Sequence, residues 1–178
     1  FMRDEILRSK QLGLNGQRIH IKVEVPRKLY WADRLGVLIQ ADVPNSWGPP
    51  EEKMRAETEY ALRQMIKRDY NHPSIFSWVV FNETWGLFTK GGEDEDGRPL
   101  RNYLPETQAW VASMYYLAKS LDLSRLVEDN SICCGRGHTE TDINSWHAYL
   151  PGYGWDEFLE NITENNYPGS PFHFEEGY

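Results

Sequence analysis

Short apolar segments alternate with amphipathic ones along almost the whole chain, and this alternation limits what the chain can fold into more than any other feature. Residues 3–12 read as a helix with Ile6 and Leu7 facing inward and Gly13 near its end. "NGQRIHIKV" follows as a strand, "PRKLYWADRLG" as a short helix ending at Gly36, and "VLIQADVP" as a buried strand closed by Pro44. A long helix is predicted from Pro50 to Arg68. Pro50 suits its first turn, Glu51 and Glu52 complement the helix dipole, and Met54, Ala61, Leu62, Met65 and Ile66 form its apolar stripe. Ile75–Asn82 reads as a strand, "KGGEDEDGRP" as a solvated loop, Pro105–Leu121 as a helix and "RLVEDNS" as a strand. "CCGRGHTET" is a loop, "DINSWHAY" a further strand and "GWDEFLENI" a helix, and "SPFHFEEGY" closes the chain.

Such alternation predicts an α/β fold, a parallel sheet with helices outside, and near-continuously apolar strands suit burial on both faces. An open doubly wound sheet and a (β/α)8 barrel both fit. The first should carry a glycine-rich turn after its first strand, and none is present. Polar residues gather instead where the strands end: His20, Asp42, Asn82, Glu83, Asn130, and His147 with Tyr149. In a barrel those ends build one shared active face. A closed barrel needs eight strands, and five are counted here. The expectation is therefore a single, partial barrel over residues 1–178, with strand edges open to another copy or to remaining barrel segments.

Composition narrows the function. A net charge of −8 argues against a nucleic-acid partner, which needs Lys and Arg to neutralise phosphates. No apolar run approaches the roughly 18 residues of a membrane span. Cys133 and Cys134 are adjacent, a spacing that fits neither a strain-free disulfide nor a zinc site with nearby histidines. The aromatic content, 13%, is high enough to suit either sugar stacking or a bulky core. The first residues carry no basic-then-apolar leader pattern, and they decide nothing about localisation.

Glu83 is the sharpest candidate. It ends a buried strand between Phe81 and Trp85, where its charged form is expected to be disfavoured, as suits a general acid near neutral pH. Asn82 beside it offers donors and an acceptor for a sugar hydroxyl. The alternative for Glu83 alone is a helix cap or an arginine partner. Arg18 and His20 lie two apart on one strand and share a side; a salt bridge and a core histidine are their alternatives. Asp42 could bind a hydroxyl or cap a helix. Trp146 and Trp85 could offer a stacking platform or fill a core.

"RDYNHPSIFSWVVFNE" resembles the acid/base signature of glycoside hydrolase family 2, the family of β-galactosidases, β-glucuronidases and β-mannosidases. There an Asn-His-Pro-Ser turn leads into the fourth barrel strand, which ends in Asn-Glu. "SKQLGLNGQRIHIKVEVPRKLYWADRLGVLIQADVP" is similar to that family's second and third strands, and "TDINSWHAY" to its sixth. The resemblance runs from about residue 4 to 150 and implies a (β/α)8 barrel present from about its second strand to its sixth or seventh.

The resemblance also implies roles. Glu83 becomes the general acid/base of a retaining, β-galactosidase-like β-glycosidase, with Asn82, Arg18 and His20 toward the sugar. Tyr149 resembles the family tyrosine that hydrogen-bonds the nucleophile, and His147 a substrate contact. Retention demands a second carboxylate about 5–5.5 Å from the first. In this chain "FHFEEGY" offers Glu175 and Glu176, but no Ser or Thr precedes them, and the nucleophile is expected beyond Tyr178. No metal site and no organic cofactor are expected, although some relatives use magnesium or sodium. A non-catalytic module that binds carbohydrate or assembles with itself is the alternative. A second carboxylate near Glu83 separates the two.

Overall fold

Four parallel strands carry the alternation into three dimensions, in the order β1 (Gly16–Ile19), β2 (Leu38–Asp42), β3 (Ile75–Asn82) and β6 (Leu126–Ser131). The computed structural model describes residues 1–93, 95, 97, 99–133 and 138–167. Helices α1 (Met2–Gln11), α2 (Pro26–Leu35), α3 (Glu52–Asp69) and α4 (Pro105–Leu121) precede or connect these strands, and α5 (Trp155–Asn165) follows. The result is a parallel α/β sheet of the kind that forms part of a barrel. Among the described residues β1 and β6 are its outer strands.

Local chemistry sets the bounds. Pro26 and Pro105 occupy the first turns of α2 and α4, where the missing N–H costs nothing. α2 stops at Gly36, whose φ of 67° a residue with Cβ adopts poorly. α3 starts at Glu52, so Pro50 stands just outside the helix it was expected to open. β1 is shorter than its sequence suggests, because Ile21 turns to φ 45° and donates its N–H to Asp42 at 3.0 Å.

The two faces of the sheet differ in character. Ile39 and Ala41 of β2 and Val43 just after it join Trp78 and Val80 of β3 and Val127 of β6 in one apolar cluster. Leu62, Met65 and Ile66 of α3, spaced by three and four, complete it with Val111, Met114 and Ala118 of α4. Fully burying each such side chain contributes about 1.5–3 kcal/mol. The alternate residues Gln40 and Asp42 turn to the other face, where they meet polar side chains of β1 and β6.

Two expectations are corrected. "DINSWHAY" is not a strand. Asp142 uses its carboxylate to accept the Val127 N–H at 2.9 Å, and Thr141 offers its hydroxyl to the Asp129 N–H at 3.4 Å. Side chains thus occupy donors of β6 that a neighbouring strand would need. Among the described residues the parallel sheet accordingly has four strands rather than five. The stretch "KGGEDEDGRP" is not all loop: Lys90–Glu93 belongs to β4 (Thr89–Glu93) and Pro99 to β5 (Pro99–Asn102), an antiparallel hairpin, and Gly97 in its connection has φ 74°. No helix among the described residues is long and apolar enough to cross a membrane.

Candidate active site

The C-terminal ends of the four strands place their polar residues together, and Arg18 ties them into one network. It donates Nε to Asp42 Oδ1 at 3.0 Å and Nη2 to Asp42 Oδ2 at 2.8 Å, a bidentate pair. The same Nη2 lies 2.8 Å from both Asn82 Oδ1 and Ser131 Oγ. Ser131 in turn donates to Asn82 Oδ1 at 3.1 Å. Two donors to Oδ1, Arg18 Nη2 and Ser131 Oγ, fix which way the Asn82 amide faces. Its Nδ2, buried and without a hydrogen-bond partner among the described residues, is left with a proton to donate. Asp42 is pushed above the usual carboxylate range by burial, which outweighs the opposing pull of Arg18.

Glu83 sits just past β3 and holds φ 51°, with Thr84 at φ 60°. Two consecutive left-handed residues with side chains, one of them β-branched, are strained and need outside support. The Glu83 N–H donates to Ser131 O at 2.8 Å, and the Thr84 N–H to Asn130 Oδ1 at 2.9 Å. Asn130 Nδ2 then reaches back to Thr84 Oγ1 at 3.1 Å. Asn45 accepts the Asn82 N–H at 2.6 Å from the other side. β6 and the loop after β2 therefore hold the turn that presents Glu83.

The Glu83 carboxylate, 21% exposed, meets His147 Nδ1 at 2.5 Å. His147 Nε2 lies 3.5 Å from Arg18 Nη1, which can only donate. By that logic Nε2 accepts and Nδ1 carries the proton toward Glu83 Oε1, leaving Oε2 for a reacting atom. A weak acid beside an imidazole, at the rim of a buried polar network, can both give and take a proton.

Five of the residues singled out in the sequence converge here: Arg18, Asp42, Asn82, Glu83 and His147. His20 stands at the rim, Nδ1 3.7 Å from Asp42 and its ring edge-on to Trp85 at 5.8 Å. Tyr149 is not brought in; it is 90% exposed, because the segment lacks the ladder that would make residues 147 and 149 share a face. Trp146 is half-buried, whereas Trp85 stacks on Trp47 with centroids 3.8 Å apart. Glu175, Glu176 and Cys134 lie outside the described residues.

Asn45, Ser131, Cys133 and Glu128 were missed. Ser131 ends a strand and follows the same strand-end rule as Asn130, so that signal could have found it. Glu128 is a buried carboxylate bound by Gln40 Nε2 at 3.0 Å and by the Ser145 hydroxyl, and burial pushes it above the usual range. Cys133 brings its sulfur near Glu83 and His147, with one ligand atom from each within 4.8 Å of the others. These donor types suit a soft divalent ion, although the Glu83–His147 hydrogen bond already joins two of the three.

Residues 1–170 match the family described as glycosyl hydrolases family 2, TIM barrel domain. A beta-glucuronidase of Streptococcus agalactiae is 31% identical over 93 residues, 42% of this chain and 15% of that protein. A beta-galactosidase of Thermoanaerobacterium thermosulfurigenes is 36% identical over 76 residues, 43% of this chain and 10% of that protein. The solved structure of Bacteroides uniformis beta-glucuronidase 2, covalently bound to cyclophellitol-6-carboxylate aziridine, superposes with a TM-score of 0.71. Its identity is 27%, over 92% of this chain and 21% of that one. The chain thus spans about a fifth or less of the length of each of these relatives.

Proposed function

This chain belongs to glycosyl hydrolases family 2, and from that premise we propose that it carries the acid/base side of a retaining β-glycosidase active site. Glu83 first protonates the glycosidic oxygen through Oε2, and later takes a proton from the water that releases the sugar. A second carboxylate attacks the anomeric carbon between these steps and forms a glycosyl-enzyme. That nucleophile lies outside the described residues; Glu175 and Glu176 are the candidates within this sequence. A relative held covalently by a cyclophellitol aziridine supports a covalent step.

The single observation that carries the proposal is Glu83 itself: a half-buried carboxylate, held on a strained turn at the strand ends and hydrogen-bonded to His147. The residues around it divide the remaining work. Asn82 Nδ2 is a donor in want of an acceptor, and a sugar hydroxyl supplies one. A buried donor left unmade costs about 1–3 kcal/mol, so this contact favours the bound sugar. Arg18 and Asp42 brace Asn82, and His147 keeps the Glu83 carboxyl turned toward the reacting oxygen.

Hydrolysis of aryl β-D-glucuronides, β-D-galactosides and β-D-mannosides by the full-length protein, with Glu83→Gln as the control, tests the reading. Turnover of at least one glycoside, lost in Glu83→Gln, is expected. Turnover that survives in Glu83→Gln would remove Glu83 from the acid/base role. A folded protein that binds these sugars without cleaving any would favour the non-catalytic module.

A further inference from the structure

We infer that the stacked Trp47–Trp85 pair is a platform for a planar, apolar leaving group, which makes aromatic β-glycosides the preferred substrate class. The inference rests on the glycosidase reading and deepens it. Trp47 lies in the loop after β2 and is 76% exposed. Scattered exposed hydrophobics need no explanation, but this one is neither isolated nor loosely held. Its ring lies on Trp85 with centroids 3.8 Å apart and planes 28° from parallel. The edge of His20 braces Trp85 at 5.8 Å.

The backbone beneath the pair is also fixed. Gly86 has φ 74°, and a Cβ there would come within 2.7 Å of Ser46 O, so the turn after Glu83 presses directly on the Trp47 loop. The Trp85 N–H is held by Asn82 O at 2.8 Å, and the Gly48 N–H by Ser46 Oγ at 3.0 Å. A rigid aromatic surface of this kind binds a flat partner at little entropic cost.

Position decides the occupant. The general acid must touch the oxygen between sugar and leaving group, so groups on the solvent side of Glu83 face the leaving group. The buried polar residues Asp42 and Asn82 lie deep and suit a sugar's hydroxyls, whereas Trp85, two residues beyond Glu83, and Trp47 lie at the rim. Trp47 follows β2, an inner strand of the sheet, rather than either outer strand, β1 or β6, beside which further barrel strands would pair. An aromatic ring stacked on indole gains through offset stacking what an alkyl group cannot.

The test compares methyl with 4-nitrophenyl β-D-glucuronides and β-D-galactosides, using the Glu83→Gln protein so that nothing is hydrolysed. Calorimetric affinities are measured for that protein alone and with Trp47→Ala or Trp47→Phe added. The parent should prefer the aryl glycoside, and Trp47→Ala should cut the aryl-to-methyl affinity ratio by about three- to tenfold. Trp47→Phe should keep most of the ratio. Binding of both glycosides with a ratio that Trp47→Ala leaves unmoved overturns the platform and spares the glycosidase reading. Binding of neither glycoside overturns both.

Discussion

The two ends of β3 solve opposite problems. At its start, the chain turns through His72, Pro73 and Ser74, and nearby charges are matched. Asp33 accepts the Ser74 N–H at 2.9 Å and meets His72 Nδ1 at 2.6 Å. Asp122, at the end of α4, accepts from Trp78 Nε1 at 3.0 Å, from the Ser124 N–H at 2.9 Å and from Arg125 Nη1 at 2.6 Å. Burial would raise both carboxyls, but these hydrogen bonds outweigh it and hold both below the usual range, Asp122 at about 2. Arg125 also donates to the carbonyls of Tyr70, His72 and Ile75, which fastens the turn to β6.

At the finish of β3 the balance runs the other way. Burial pushes Asp42 above the usual range, Asn82 Nδ2 has no acceptor among the described residues, and Glu83 and Thr84 are both left-handed. One end stores stability and the other spends it on holding groups ready for a ligand, the division expected between the two faces of a barrel. The motif that carries the resemblance, "NHPSIFSWVVFNE", spans both ends. Its first half is a structural turn, and its second half is the site.

The contrast is open to attack, from the largest expected effect to the smallest. Glu83→Gln keeps an acceptor for His147 and should leave the urea midpoint within error, while kcat/KM falls by about 10²–10⁴; a large stability loss would break the contrast. Asp122→Ala should do the reverse. It strands Arg125 and Trp78 Nε1 and should cost about 3–5 kcal/mol in urea unfolding, with KM for any substrate unmoved.

The same carboxyl has a pH signature. Its folded pKa, about 2, lies below the reference 3.8, so its stabilisation is complete above about pH 4 and fades as pH falls toward 2. The loss should be about 2 kcal/mol. Thermal melts between pH 5 and 2 check this, and Asp122→Asn should flatten that part of the profile.

Gly86→Ala adds a Cβ against Ser46 O at a left-handed position and should cost about 1–3 kcal/mol. It should also displace the Trp47 loop, which quenching of tryptophan fluorescence would report. Arg63→Ala removes an exposed pair with Glu59 on α3, 2.8 Å apart, and should change the midpoint by less than about 0.5 kcal/mol. A larger effect there would mean that stability is not concentrated at the strand-start end.

Much of this was legible in one dimension. The period of the apolar residues fixed β3 and α4 to their terminal residues, because Ile75–Asn82 and Pro105–Leu121 are bounded by turn residues and a first-turn proline. The strand-end rule found Asp42, Asn82 and Glu83, and parity with His20 found Arg18; His147 reaches the site although its segment is not a strand. Parity failed at Tyr149, where Asp142 and Thr141 occupy the donors of β6 and no ladder keeps it.

What the sequence determined by itself, then, was a layered α/β chain with a carboxylate at the end of a buried strand, because periodicity and polarity are local properties. Only the tertiary structure decided that His147 meets Glu83 across 64 residues, that Asn130 clamps Thr84 across 46, and that Trp47 lies on Trp85. Those contacts depend on strand order and register, and a pairing between distant segments leaves no periodic trace in either one.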